Sequence, residues 1–210
     1  MNATGSPPHE LRAAGLECLR GEVLLFENLQ LTLRSGQLMQ VEGPNGSGKT
    51  SLLRMLAGLT LPETGDVFWD GEPIRRDRAR FNDCLHYVGH HHAVKAGLSV
   101  LENLRFIEGL SGGDGDPAAA LGRVGLTRQL QQPAHTLSAG QRRRAALARL
   151  LIRPAPLWIL DEPYTALDAS GVALVDQLIR EHVSTGGMVL MTSHQRIELA
   201  DLPLQQLKLA

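Results

Sequence analysis

The chain lacks what several function classes need. It has two cysteines, Cys18 and Cys84, in 210 residues. That is too few for a disulfide framework or a four-thiolate zinc site, and it suits a reducing compartment. There is no basic excess: 21 Lys and Arg stand against 22 Asp and Glu, for a net charge of −1. A general nucleic-acid binder normally carries a cationic surplus, so no nucleic-acid partner is expected. No apolar run approaches the length of a membrane span. Residues 1 to 10 are polar, carry Pro7 and Pro8, and show no basic-then-apolar leader pattern. A cytosolic protein is expected, with membrane contact only through a partner. Lysine is scarce, with Lys49, Lys95 and Lys208 against 18 Arg. There is no internal repeat and no low-complexity segment.

What is present is a globular profile: 43% hydrophobic residues, 20% charged, 22 Gly and 11 Pro. The length suits a single domain able to bury a core. Residues 1–14 read as a loose tail and 15–210 as one domain. Strand-like residues run from Leu16 to Leu33 with a turn near Arg20 and Gly21, followed by a strand Leu38–Glu42. A helix is predicted over Ser51 to Leu59, where Leu52, Leu53, Met55, Leu56 and Leu59 recur at helical spacing. Asp66–Trp69 and Leu85–Val88 are strand candidates, and Arg75–Arg80 is a basic patch on a polar segment. Helices separated by loops fill the middle, so a helical subdomain is predicted at about 92–155. Ser138 is placed to cap a helix running to about Ile152, before Pro154. Leu157–Leu160 and Met188–Thr192 read as buried parallel strands on either side of a helix at Gly171–Val183, and Leu204–Leu209 as a last strand. Alternating strands and helices predict an α/β fold with a parallel core.

The strand Leu38–Glu42 runs straight into Gly43, Pro44, Asn45, Gly46, Ser47, Gly48, Lys49 and Thr50, with Ser51 opening the helix. This is a complete phosphate-loop pattern in the required strand-to-helix context. Glycines let backbone N–H groups turn inward around an anion, and the helix N-terminus adds its positive dipole end. Lys49 supplies a charge for the β- and γ-phosphates and Thr50 a hydroxyl for Mg²⁺. The strand Leu157–Leu160 ends in Asp161, Glu162 and Pro163. Strand C-termini of a parallel sheet face the ligand crevice, so Asp161 is placed to hold Mg²⁺ and Glu162 to polarise an attacking water. After Met188–Thr192 come Ser193 and His194, where His194 can reach a γ-phosphate and orient the water.

Together with Leu137-Ser138-Ala139-Gly140-Gln141 and Ala166-Leu167-Asp168, these motifs resemble the ATP-binding-cassette (ABC) ATPases over residues 15 to 200. The resemblance implies a P-loop NTPase cassette: a parallel-sheet RecA-like core, N-terminal antiparallel strands and an inserted helical subdomain. It also implies ATP and Mg²⁺ as cofactors and a head-to-tail homodimer, in which Ser138, Gly140 and Gln141 complete the partner copy's site. Two departures stand out. The N-terminal stretch Leu16–Gly21 has no aromatic residue to stack on adenine, and Arg20 can stack its guanidinium plane instead. The segment where the family places its Q-loop glutamine reads Val88-Gly89-His90-His91-His92, so either His90 or His91 takes that position beside a metal-bound water. Arg142, Arg143 and Arg144 read as solvated charge near a phosphate-rich interface.

A narrower resemblance is to the haem-exporter ATPases of cytochrome c maturation. It rests on Arg20-Gly21 with Leu25-Phe26, Gly89-His90 with Leu101-Glu102-Asn103-Leu104, and Trp158 to Asp168. It implies an ATP-hydrolysing peripheral subunit on the cytoplasmic face of the bacterial inner membrane, bound to integral CcmB-like and CcmC-like subunits. ATP use would serve haem export or delivery, or release of a haem-loaded chaperone. An ABC transporter for another substrate is the alternative. The groove around His90 to Leu98 is the predicted docking site for the membrane partner. DNA-repair relatives separate the phosphate loop from the family's signature motif, which Leu137–Gln141 resembles, by a long coiled coil; here Thr50 and Leu137 are 87 positions apart with no sustained heptad. Three consecutive histidines diverge in side-chain direction, which argues against a haem or metal site of their own. Both cysteines are expected to be inert and buried.

Overall fold

A computed structural model describes residues 8–90, 94–112, 114–193, 199 and 201–209. Two sheets carry the fold. Strands β1 (Glu10–Arg20), β2 (Val23–Arg34), β4 (Asp66–Trp69) and β5 (Glu72–Pro73) make an antiparallel sheet in the order β2-β1-β4-β5. Strands β3 (Leu38–Glu42), β6 (Leu85–Val88), β7 (Leu157–Leu160), β8 (Met188–Thr192) and β9 (Leu204–Lys208) make a parallel sheet in the order β6-β7-β8-β3-β9. Helices α1 (Lys49–Leu56), α2 (Arg78–Asp83), α3 (Val100–Ser111), α4 (Pro117–Arg123), α5 (Ala139–Ala148) and α6 (Ala169–Ser184) complete the described elements.

The apolar runs explain the layers. β7 and β8 are buried at every position, which a strand tolerates only when both sheet faces are covered. On one face, α1 places Leu52, Leu53 and Leu56 against Met39, Val41, Ile159 and Leu190, with Leu11, Leu31 and Trp69 of the antiparallel sheet closing the cluster. On the other, Val175, Leu178 and Ile179 of α6 meet Trp158, Leu160, Val189 and Met191. A third cluster, with Val100, Leu104, Leu121, Val124, Leu137 and Ala148, is the core of the helical region. Ser99 caps α3 in a reciprocal capping box with Glu102, an arrangement that stabilises a helix start by about 1 kcal/mol.

Several boundaries differ from the sequence expectation. The tail expected through residue 14 ends sooner, because residues 10–14 pair in β1 and bury Leu11 and Ala13. The first core helix begins at Lys49, two residues before Ser51, because left-handed Gly48 acts as its N-cap. It ends at Leu56, so Leu59 is exposed. The helix capped by Ser138 gives way at Ala148 to a tighter turn over Arg149–Leu151. The basic segment near Arg75–Arg80 includes a short helix, α2, capped by Asp77. Cys18 is buried, but Cys84 is only half-buried.

Candidate active site

The phosphate loop leaves β3 and enters α1 through three glycines at positive φ: Gly43 at 154°, Gly46 at 89° and Gly48 at 92°. A Cβ on Gly43 would stand 2.6 Å from Ser47 Oγ and 2.8 Å from the Leu209 carbonyl. The loop therefore packs closely at its base and tolerates no side chain there. Lys49 is buried, and its Nζ donates to the carbonyls of Gly43 at 2.7 Å and Pro44 at 2.9 Å. The ammonium is thus held inside the turn of the loop. Ser47 Oγ is buried with no hydrogen-bond partner among the described residues, an orphaned hydroxyl of the kind a bound phosphate oxygen would satisfy.

Beside the loop, β7 delivers Asp161, which is 1% exposed. Its Oδ2 accepts from Thr50 Oγ1 at 2.9 Å, and its Oδ1 accepts from Thr192 Oγ1 at 2.9 Å. The Thr192 hydroxyl in turn accepts from the Glu162 backbone N–H at 2.9 Å. Three adjacent parallel strands, β7, β8 and β3, thereby bring their C-terminal ends to one point, as the crevice rule for open α/β sheets requires. Glu162 adopts φ 55°, a left-handed conformation uncommon for a non-glycine residue. The donor set is a hydroxyl and one carboxylate. Among the described residues no cluster of three or more His, Cys, Asp or Glu could hold a metal. The hydroxyl and carboxylate oxygens of Thr50 and Asp161 suit a hard cation such as Mg²⁺, which keeps phosphate and water ligands and takes few from protein.

Lys49, Thr50, Asp161 and Glu162 line one cleft of about 370 Å³ together with Arg20, Leu25 and His90. Asn45, Gly46, Gly48, Ser51 and Thr165 also line it. The arrangement can hold a triphosphate along the loop, a cation between Thr50 and Asp161, and a base near Arg20. His194, His91 and His92 lie outside the described residues. Ser138, Gly140 and Gln141 do not line this cleft. Ser138 is exposed at the start of α5 in a capping box with Gln141. A Cβ on Gly140 would stand 2.7 Å from the Ala166 carbonyl, so the signature abuts the segment leading into α6.

The expectation for Arg142–Arg144 is overturned at Arg143, which is buried; Arg142 and Arg144 stay part-exposed and make hydrogen bonds. Arg142 donates to the Leu137 carbonyl, Arg144 to Asp168 and Ser170, and Arg143 is fully buried beneath the site. Thr192 is a second residue the sequence did not mark. A hydroxyl at the end of an otherwise apolar strand facing the crevice was the available signal.

The family profile described as ABC transporter matches residues 26–165. The cytochrome c biogenesis ATP-binding export protein CcmA of Methylococcus capsulatus is 55% identical, over 90% of this chain and 93% of the relative. That of Nitrosomonas europaea is 47% identical over the full length of both. A solved ABC transporter ATP-binding protein from Pyrococcus furiosus superposes with a TM-score of 0.80 at 24% identity, covering 95% of this chain and 97% of that one. At that identity the likeness establishes the fold.

Proposed function

Because the chain belongs to the ABC transporter family of ATP-hydrolysing cassettes, and within it to the CcmA proteins, we propose that it powers cytochrome c maturation. In this reading it is the ATPase subunit of a membrane complex. It couples ATP hydrolysis to haem export or delivery, or to release of a haem-loaded chaperone. The observation that carries the chemistry is the convergence of Lys49, Thr50, Asp161 and Glu162 on one cleft.

Backbone amides of the Gly43–Gly48 loop, other than that of Pro44, and the Lys49 ammonium bind the phosphates. Thr50 and Asp161 would hold Mg²⁺, and His90 or His91 would take the Q-loop role next to it. When bound, Mg²⁺ neutralises charge on the transferred phosphoryl group. Glu162 polarises the attacking water, and His194 orients that water and the γ-phosphate. Arg20 stacks on the base. Ser138, Gly140 and Gln141 stand outside their own chain's cleft because they close over the nucleotide of the other copy in a head-to-tail homodimer. No helix among the described residues is long and apolar enough to cross a membrane. The chain works peripherally, on the cytoplasmic face of the inner membrane, with CcmB-like and CcmC-like subunits docked near His90–Leu98.

The test is haem staining of c-type cytochromes in cells lacking the protein, complemented with wild type or Lys49→Ala. Loss of staining restored by wild type alone is the expected result. Normal staining without the protein removes the cytochrome assignment and points to an ABC transporter for another substrate.

A further inference from the structure

Arg143 lies one turn into α5 and is 1% exposed. Its acceptors among the described residues are three backbone carbonyls from separate places in the chain. Nε donates to Pro163 O at 3.2 Å, Nη2 to Asp161 O at 2.7 Å and Nη1 to Gly89 O at 2.9 Å. Two of these carbonyls flank Glu162, whose φ of 55° is in the left-handed region. The Asp161–Glu162 peptide is therefore held at both ends: its carbonyl by Arg143 and its N–H by Thr192 Oγ1. Left-handed backbone at a non-glycine residue persists only where the surroundings over-determine it. The planar guanidinium fork supplies that constraint, and a single ammonium cannot reach three divergent carbonyls in the same way.

We propose that Arg143 is a positioning residue for Glu162, clamping the carbonyls on either side of it so that the Glu162 carboxylate is aimed into the cleft. The Gly89 contact ties the segment entering His90 to the same clamp. Burial lowers the Arg143 guanidinium to about 10, against the opposing pull of the Asp161 and Glu162 charges, so those carboxylates help to keep a buried cation charged. The proposal rests on the reading of Glu162 as the group that polarises the water.

The experiment compares full-length wild type, Glu162→Gln, Arg143→Lys and the double variant, each assembled with the membrane subunits that co-purify with it. ATP affinity is measured by calorimetry, and kcat by steady-state release of radiolabelled phosphate. Wild-type-like turnover in Glu162→Gln alone would overturn the reading of Glu162, separately from the clamp. For the clamp, Arg143→Lys is expected to lower kcat by about 10- to 100-fold with ATP affinity within about 3-fold of wild type. In the Glu162→Gln background the same change is expected to alter the residual rate by less than about 3-fold, because residues acting as a unit are not additive. Equal fold-losses in both backgrounds, or unchanged kcat in Arg143→Lys, would overturn the clamp. So would a loss of ATP affinity that matches the loss of rate. If neither Arg143→Lys nor Arg143→Gln folds, the proposal is also overturned, since the contacts would then serve the core rather than the site.

Discussion

Replacing Thr192 with Val probes the hydrogen-bond relay that joins β8 to the site. Thr192 is fully buried, and its hydroxyl donates to Asp161 Oδ1 while accepting from the Glu162 N–H, both at 2.9 Å. Valine has nearly the same shape, so neither a cavity nor overpacking enters the balance. Losing a hydrogen bond to a carboxylate costs about 1.5–3 kcal/mol, and a half-buried N–H left without a partner costs about 1–3 kcal/mol. The added methyl returns about 1 kcal/mol through burial. The net expectation is about 2–4 kcal/mol of lost stability, a fall in melting temperature of roughly 5–15 °C for a domain of this size. Thr192→Ser keeps the hydroxyl and loses one buried methyl, costing about 1 kcal/mol. Urea denaturation at neutral pH, with m held constant between variants, reads both. A Thr192→Val stability within about 0.5 kcal/mol of wild type, or a serine variant as unstable as the valine one, would refute the relay.

Other outcomes follow from the same geometry. Lys49→Ala removes the charge enclosed by the loop, and calorimetry should show ATP binding weakened by about 10- to 100-fold. Gly43→Ala drives a Cβ toward Ser47 Oγ and the Leu209 carbonyl; it should destabilise the fold by about 1–3 kcal/mol in denaturant and weaken nucleotide binding. Arg20→Ala should weaken ATP binding and Arg20→Tyr should restore it, since an aromatic face can replace a guanidinium plane; an unaffected alanine variant would remove the stacking role. Burial holds His86 and His182 down to about 4 in the folded chain, against about 6.5 when unfolded. Between those values the unfolded state binds more protons, so stability should fall as pH drops from about 6.5 toward 4, by at most on the order of 3 kcal/mol per histidine. His86→Gln, whose amide can still donate to the Arg153 carbonyl that His86 contacts, should flatten that slope in pH-dependent denaturation.

The phosphate loop was legible because its chemistry is local. Eight consecutive residues between a strand and a helix specify a backbone that curls around an anion, and Gly43, Gly46 and Gly48 take positive φ as that pattern requires. Asp161 was legible for a related reason: a carboxylate ending a wholly apolar strand has few places to go except the crevice. Boundaries were less legible. Residues 10–14 read as tail because they follow a polar start with Pro7 and Pro8, yet pairing with β4 on one side and β2 on the other draws them into the sheet.

Arg143 shows where local reading stops. Three adjacent arginines near a helix start look alike by charge and propensity, and a solvated face is the ordinary reading of such a run. Helical geometry turns the three in different directions, and only the packing of α5 against the ends of β6 and β7 buries the middle one among three carbonyls. The contacts span 54, 20 and 18 positions, so no window of sequence contains them. The sequence by itself marked the phosphate loop and the acidic pair, because those are short-range patterns, and it pointed to the ABC cassette through the family resemblance those motifs carry. The tertiary structure alone decided which hydroxyl and which guanidinium hold that pair in place, because they arrive from distant segments and depend on the sheet order that brings the strand ends together.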